Sequence, residues 1–129
     1  MIEANQLRIG NTVRVCIEGK DGIFDEFATI KEIRESIIIV GNGLHAGYHM
    51  LQPITLNELI LNKCGLKWHD PSSCYVDQNM FEIAKEEGIY PDYFLWHRNG
   101  MVGRNPIHYL HELQNLYFII MGKELEVNL

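Results

Sequence analysis

Apolar and polar positions along this chain switch period, from two in the first half to helical at the end. From Val13 the segment Thr12-Val13-Arg14-Val15-Cys16-Ile17 alternates, and it puts Val13, Val15 and Ile17 on one face of a strand. Glu18-Gly19-Lys20-Asp21-Gly22 punctuates it as a turn. Phe27 to Ile33 alternates again, less regularly. Ile37-Ile38-Ile39-Val40 is β-branched throughout, a composition that suits a strand buried on both faces, and Gly41-Asn42-Gly43 ends it. Short strands parted by glycine-rich turns predict a small barrel or a strongly bent meander.

The second half mixes signals. Thr55 is the candidate cap of a short helix, with Glu58 three residues on, Leu56, Leu59 and Ile60 as its apolar stripe and Gly65 as its stop. Leu66-Lys67-Trp68 then leads into the polar loop 69–73. Residues 75–88 admit either a helix capped by Asp77 or a strand over 80–85, and the strand is preferred because the next segment needs a partner. Phe94 to Val102 reads as a hairpin turned at Asn99-Gly100, a pair suited to the two positive-φ sites of a type I′ turn. Tyr109, Leu110, Leu113, Leu116, Tyr117, Ile120 and Met121 fall in one arc at about 100° per residue, which predicts a terminal helix stopped by Gly122. Phe118 and Ile119 miss that arc. Either Leu125 and Val127 fold back over them or another subunit does, which makes the pair a candidate interface.

The resulting expectation is an α+β protein, one domain over residues 1–129. It comprises a small bent antiparallel sheet or barrel, a short middle helix, a hairpin, and a C-terminal helix packed on the sheet. Leu7-Arg8-Ile9-Gly10-Asn11, a Gly-Asn turn before a valine-rich strand, resembles the opening of SH3-like barrels.

Composition narrows the setting. A chain of 129 residues with 47% hydrophobic residues can bury a core without metal or disulfide support. Eleven Lys and Arg against seventeen Asp and Glu give a net charge of −6, the wrong balance for gripping duplex nucleic acid through its phosphates. Cys16, Cys64 and Cys74 are an odd set without a C-x-x-C pair, which fits a reducing cytoplasm. No signal-peptide pattern opens the chain, and no apolar run is long enough to span a bilayer, so a soluble cytoplasmic protein is expected.

Candidate chemistry is sparse. His108-x-x-His111-Glu112 places two imidazoles and a carboxylate at chelating spacing on the polar side of the terminal helix, yet it matches no zinc pattern, and solvated side chains are the plainer reading. Cys64, His69 and Cys74 match no standard metal spacing, and Cys16 and Cys64 read as packing residues. No phosphate loop, Gly-x-Ser-x-Gly or dinucleotide fingerprint occurs, so no catalytic residue, cofactor or metal is assigned. Tyr48, His49, Trp68, Tyr93, Trp96, His97, Arg98 and Arg104 cluster around turns. Within that set Tyr48, His49, Trp96, Arg98 and Arg104 form a candidate ligand site, since aromatic faces stack on bases and an Arg fork grips phosphate. The plainer reading has Trp96 in the core and Arg98 in solvent.

The opening Leu7-Arg8-Ile9-Gly10-Asn11, the middle Pro53-Ile54-Thr55-Leu56 with Cys64-Gly65-Leu66, and the closing run from Tyr109 to Phe118 with Gly122-Lys123-Glu124-Leu125 carry a resemblance. They resemble a group of short uncharacterised proteins of gut Bacteroidetes genomes and their phages or mobile elements. That resemblance implies a small cytoplasmic phage-type protein that acts by binding, by analogy with small phage proteins that sequester a nucleotide immune signal. The alternatives are a protein–protein interaction module that inhibits or adapts a host factor through the Phe118 and Ile119 surface, and a small hydrolase using a Cys or a His pair; a homo-oligomer is a separate expectation.

Overall fold

A computed structural model describes the chain except Met1, Glu3, Lys20, Asp21, Asn42, Tyr90, Arg98, Asn99, Val102, Gly103 and Arg104. For Ala4, Phe24, His97 and Met101 it describes the backbone alone. By internal packing the chain divides into two compact units. One comprises Met1–Ile54 with Tyr109–Glu124, the other Thr55–His108 with Leu125–Leu129. The architecture is α+β, with one antiparallel sheet in each unit and a C-terminal helix. Among the described residues no helix is long and apolar enough to cross a membrane.

In the first unit the alternating segment is β1 (Thr12–Gly19), paired antiparallel to β2 (Gly22–Ile33). With β3 (Ile37–Val40), β4 (Leu44–Gly47) and β5 (Leu51–Gln52) they form a five-stranded sheet in the order β4-β3-β2-β1-β5. Val13 and Val15 reach its core beside Ile30, Ile38, Val40, Ala46 and Leu51. The irregular alternation of 27–33 has a cause in the register. Ile30 opposes Val40 but Glu32 opposes Ile39, so Lys31 is the extra residue of a bulge that shifts the pleat. β3 departs from expectation. Only Ile38 and Val40 are buried while Ile37 is exposed, because this antiparallel sheet covers β3 on one face.

The second unit opens with α1 (Glu58–Lys63), whose cap is Asn57 rather than Thr55. Asn57 Oδ1 accepts the Ile60 amide at 2.9 Å, a role for which asparagine is a stronger cap than threonine. The later start turns Ile60 and Leu61 inward and leaves Leu59 exposed. Gly65 ends the turn at φ +80, as expected of it. There follow β6 (Lys67–His69), β7 (Cys74–Val76), β8 (Glu82–Glu86), β9 (Asp92–His97) and β10 (Gly100–Met101), a meander in the order β10-β9-β8-β7-β6. The ambiguous stretch is thus a strand. Asp77 closes the turn before it, its Oδ1 accepting the amides of Asn79 and Phe81, each at 2.9 Å. The hairpin register sets Gly100 opposite His97, inside β10 rather than at a turn position, and Asn99 lies outside the described residues.

α2 (Leu110–Met121) belongs to the first unit and packs against β1. Glu112 Oε1 accepts the Tyr109 amide at 3.0 Å, and Gly122 at φ +70 caps the far end, its N–H donating to the Phe118 carbonyl at 2.9 Å. The buried positions are Leu110, His111, Leu113, Gln114 and Tyr117. The inward face is therefore rotated from the apolar arc towards two polar residues, and Ile120, expected inside, is 48% exposed.

Candidate functional site

Three of the five residues of the expected ligand site, Tyr48, His49 and Trp96, are described. Tyr48 and His49 sit in a 3-10 turn (Tyr48–Met50) of the first unit, and Trp96 lies in β9 of the second. Arg98 and Arg104 lie outside the described residues. The Tyr48 hydroxyl donates to the Arg34 carbonyl at 2.9 Å, so it ties down the loop after β2. His49 is exposed over Gly47, where a Cβ would come within 2.7 Å of its Cε1, and the missing side chain is what lets the imidazole lie there. Trp96 is half-buried opposite Glu82 and Met101.

Tyr93 turns out to be a packing residue. It belongs to an edge-to-face ladder, Trp68 on Tyr75 at 5.1 Å and Tyr75 on Tyr93 at 6.2 Å between ring centroids. Burial pushes both tyrosine hydroxyls above their usual range, opposed by the nearby Lys85 ammonium. Trp68 keeps its indole edge in solvent and donates Nε1–H to Asp70 Oδ1 at 2.7 Å.

The polar residues of the two chain ends meet in one clasp within the first unit. Asn11 is buried at the entry to β1, its Oδ1 accepting the Arg8 amide at 2.7 Å and its Nδ2 donating to Asn115 Oδ1 at 2.8 Å. Gln114 is only 2% exposed; its Oε1 accepts the Thr12 amide at 2.7 Å and its Nε2 donates to the Gly10 carbonyl at 3.3 Å. Asn115 Nδ2 donates to the Gln6 carbonyl at 3.0 Å. Arg8 forks onto both oxygens of Glu124 and lays its guanidinium 4.4 Å from the centre of the Phe118 ring. Gly10 holds φ +98 in this turn, and a Cβ there would stand 3.2 Å from Glu124 Oε1. Arg8, Gly10, Asn11, Gln114, Asn115, Phe118 and Glu124 together fasten α2 to the start of β1.

The groups with potential reactivity are placed for packing. Burial pushes the Cys64 thiol up to about 12, and burial with the Glu82 charge raises Cys74 as well, so neither offers the thiolate that attacks. His69 Nδ1 lies 2.8 Å from Ser72 Oγ, a contact the sequence reading missed; both side chains are exposed, and that hydroxyl also donates to the His69 carbonyl at 3.4 Å, which marks a turn contact. His108 precedes α2, whereas His111 is inside it and 2% exposed, with neither ring nitrogen hydrogen-bonded. The expectation of two solvated imidazoles on one helix face is therefore overturned for His111. Its ring stacks on Tyr109 at 5.8 Å between centroids, and burial lowers its pKa against the opposing pull of Glu112. Among the described residues no group of three His, Cys, Asp or Glu is arranged to hold a metal.

Phe118 and Ile119 stand where the periodicity left them, off the buried face. Phe118 is 40% exposed beneath Arg8, and Ile119 is 77% exposed beside Ile120. Leu125 is buried in the second unit, where the Asn128 amide donates to the Lys63 carbonyl at 3.0 Å. Comparison with protein-family models, with curated proteins and with solved structures finds no match to this chain.

Proposed function

We propose that the protein is a non-enzymatic binding module and that its working surface is the outer face of α2, presented to a protein partner. One observation carries this reading: Ile119 and Ile120 stand open on a helix whose inward side is locked by the Gln114 hydrogen bonds. Apolar side chains held rigidly in water lose little conformational entropy on docking, and their burial is favourable. The bulged first sheet supports the finer SH3-like reading of the N-terminal strands. The first part of β2, which pairs with β1 but which β3 does not reach, is a poorer contact surface, because Asp25 and Glu26 lie there and charge discourages strand pairing.

A photo-crosslinking residue placed at Ile119 is expected to join covalently to a protein chain in cells that make the protein. Absence of any protein adduct would sink the proposal. Ile119→Glu is expected to abolish that contact while changing stability by no more than about 0.5 kcal/mol, the usual effect at an exposed position.

A second reading, a nucleotide-type ligand sequestered by a phage-type protein, has in its favour the exposed His49 ring beside Tyr48. It requires the thermal midpoint to rise with a cyclic or ADP-ribose-type nucleotide. A flat response across such a panel up to roughly millimolar concentration, the weak end of specific affinity, would remove it.

A further inference from the structure

We propose that His111 is an acid-operated release for α2: below neutral pH its protonation undocks the helix from the entry of β1 while the first sheet stays folded. The imidazole is 2% exposed and neither ring nitrogen is hydrogen-bonded, so the site holds a neutral ring and supplies no acceptor for the two N–H groups of an imidazolium. His111 is also the second residue of α2, at the positive end of the helix dipole, where a cation is disfavoured. The Tyr109 ring lies nearly parallel to it, 9° between planes, and presents a π face rather than an oxygen.

The surrounding charges leave an added proton largely uncompensated. Among the described residues Glu112, on the same helix, is the one charge that acts on the imidazole, and its carboxylate already accepts the Tyr109 amide. On β1, against which α2 packs, Arg14 is forked onto Asp25 of β2 at an exposed position, and Glu18 lies near the far end of the strand. Arg8, before that strand, is taken by Glu124, after α2. His108 precedes the helix and Lys123 follows its cap, and neither acts on the ring.

Release rather than collapse follows from how the first unit is built. The sheet's own core, from Val13 and Val15 to Ile38 and Leu51, contains no group that titrates near neutrality. α2 is joined to the strand entry through polar side chains, above all Gln114, which shares the buried face with His111 and lies three residues on. An imidazolium drawn towards water therefore pulls on the turn that carries Gln114. The Thr12 amide then loses its acceptor while the β1–β2 ladder beyond it remains. In the released helix the imidazole titrates near the ordinary value of about 6.5, and in the docked helix burial holds it lower. Docking is thus complete above about 6.5, and the opening constant grows by up to about tenfold per pH unit as pH falls from there through the docked value.

Amide hydrogen exchange of the full chain from about one pH unit above 6.5 to about one below, corrected for the intrinsic exchange rate, tests this. The Thr12 amide reports the joint directly, and the Leu113 amide, bonded to the Tyr109 carbonyl, reports the first turn of α2. Both are expected to lose protection by up to about tenfold per pH unit below about 6.5, while the rest of the β1–β2 ladder keeps its own. In His111→Leu both amides are expected to stay protected throughout. As a second measurement, independent of any variant, the His111 imidazole followed by NMR in the unaltered protein is expected to titrate with a midpoint below about 6.5. Equal losses along α2 and the β1–β2 ladder would mean general unfolding and would overturn the inference. So would protection indifferent to pH, a pH response that survives in His111→Leu, or an imidazole midpoint at or above the ordinary value. None of these outcomes depends on what meets the outer face of α2, so the reading of that face stands or falls on its own cross-linking experiment.

Discussion

Replacing Gln114 with leucine is expected to lower the unfolding free energy by about 2–4 kcal/mol, although the two side chains are close in volume. Leucine adds apolar burial at a site already sealed, but it removes the acceptor of the Thr12 amide and the donor to the Gly10 carbonyl. A buried backbone N–H without a partner costs about 1–3 kcal/mol, and the Gly10 carbonyl and the Thr12 hydroxyl, 3.3 and 3.4 Å from Nε2, lose their contact as well. The joint between α2 and the start of β1 should therefore open first. Denaturant unfolding reads this as a lower midpoint at an unchanged slope. A loss below about 0.5 kcal/mol, the scale of a surface substitution, would mean that the clasp is incidental. Asn115→Ala should cost less, because no buried backbone group depends on it: its bond to the Gln6 carbonyl is exposed, where water can replace it, and the loss falls on the Asn11 side chain.

Stability is also expected to decline below neutral pH through His111. Its folded pKa lies below the ordinary value because burial disfavours the imidazolium, and Glu112 offsets this only in part. The unfolded chain, with an ordinary histidine near 6.5, takes up the proton first as pH falls. Between that value and the lower folded one, more protons bind the unfolded state than the folded one, so stability is complete above about 6.5 and is lost as pH falls through the folded pKa. The slope reaches at most about 1.4 kcal/mol per pH unit for one such group. His111→Leu should flatten this decline and raise stability by about 1–3 kcal/mol at neutral pH, since both ring nitrogens are buried without partners. Unfolding profiles of the two proteins between pH 7.5 and pH 5 decide the matter. Parallel profiles would show that the imidazole is hydrated or already charged in the folded state.

Local patterning was readable where neighbours alone impose the structure. Val13 and Val15 alternate because a pleated strand sends every second side chain to the core, and Gly122 stops α2 because only glycine adopts φ +70 without a steric cost. The choice between helix and strand at 82–86 also came out correctly, on the need of β9 for a partner. The cap of α1 was misplaced by two residues because Thr55 and Asn57 both suit the role, and only the surrounding backbone decides which is extended at the helix start. The candidate ligand site was gathered by residue type, which carries no distance. Tyr48 and His49 lie in the first unit and Trp96 in the second, and no pattern along the chain gives the distance between them.

From the sequence by itself came an α+β class, the alternating core strands, a terminal helix with its stop, and two apolar residues off its main face. All of these depend on side-chain periodicity and on short-range steric rules. Which side of α2 points inward was decided by tertiary structure. The strand entry at Gly10 to Thr12 presents backbone groups that Gln114 meets across about a hundred positions of chain, while Asn115 takes the buried Asn11 side chain. A polar side chain with buried partners to satisfy outranked the apolar Ile120, and that rotation set Ile120 in the open beside Ile119, where binding is proposed.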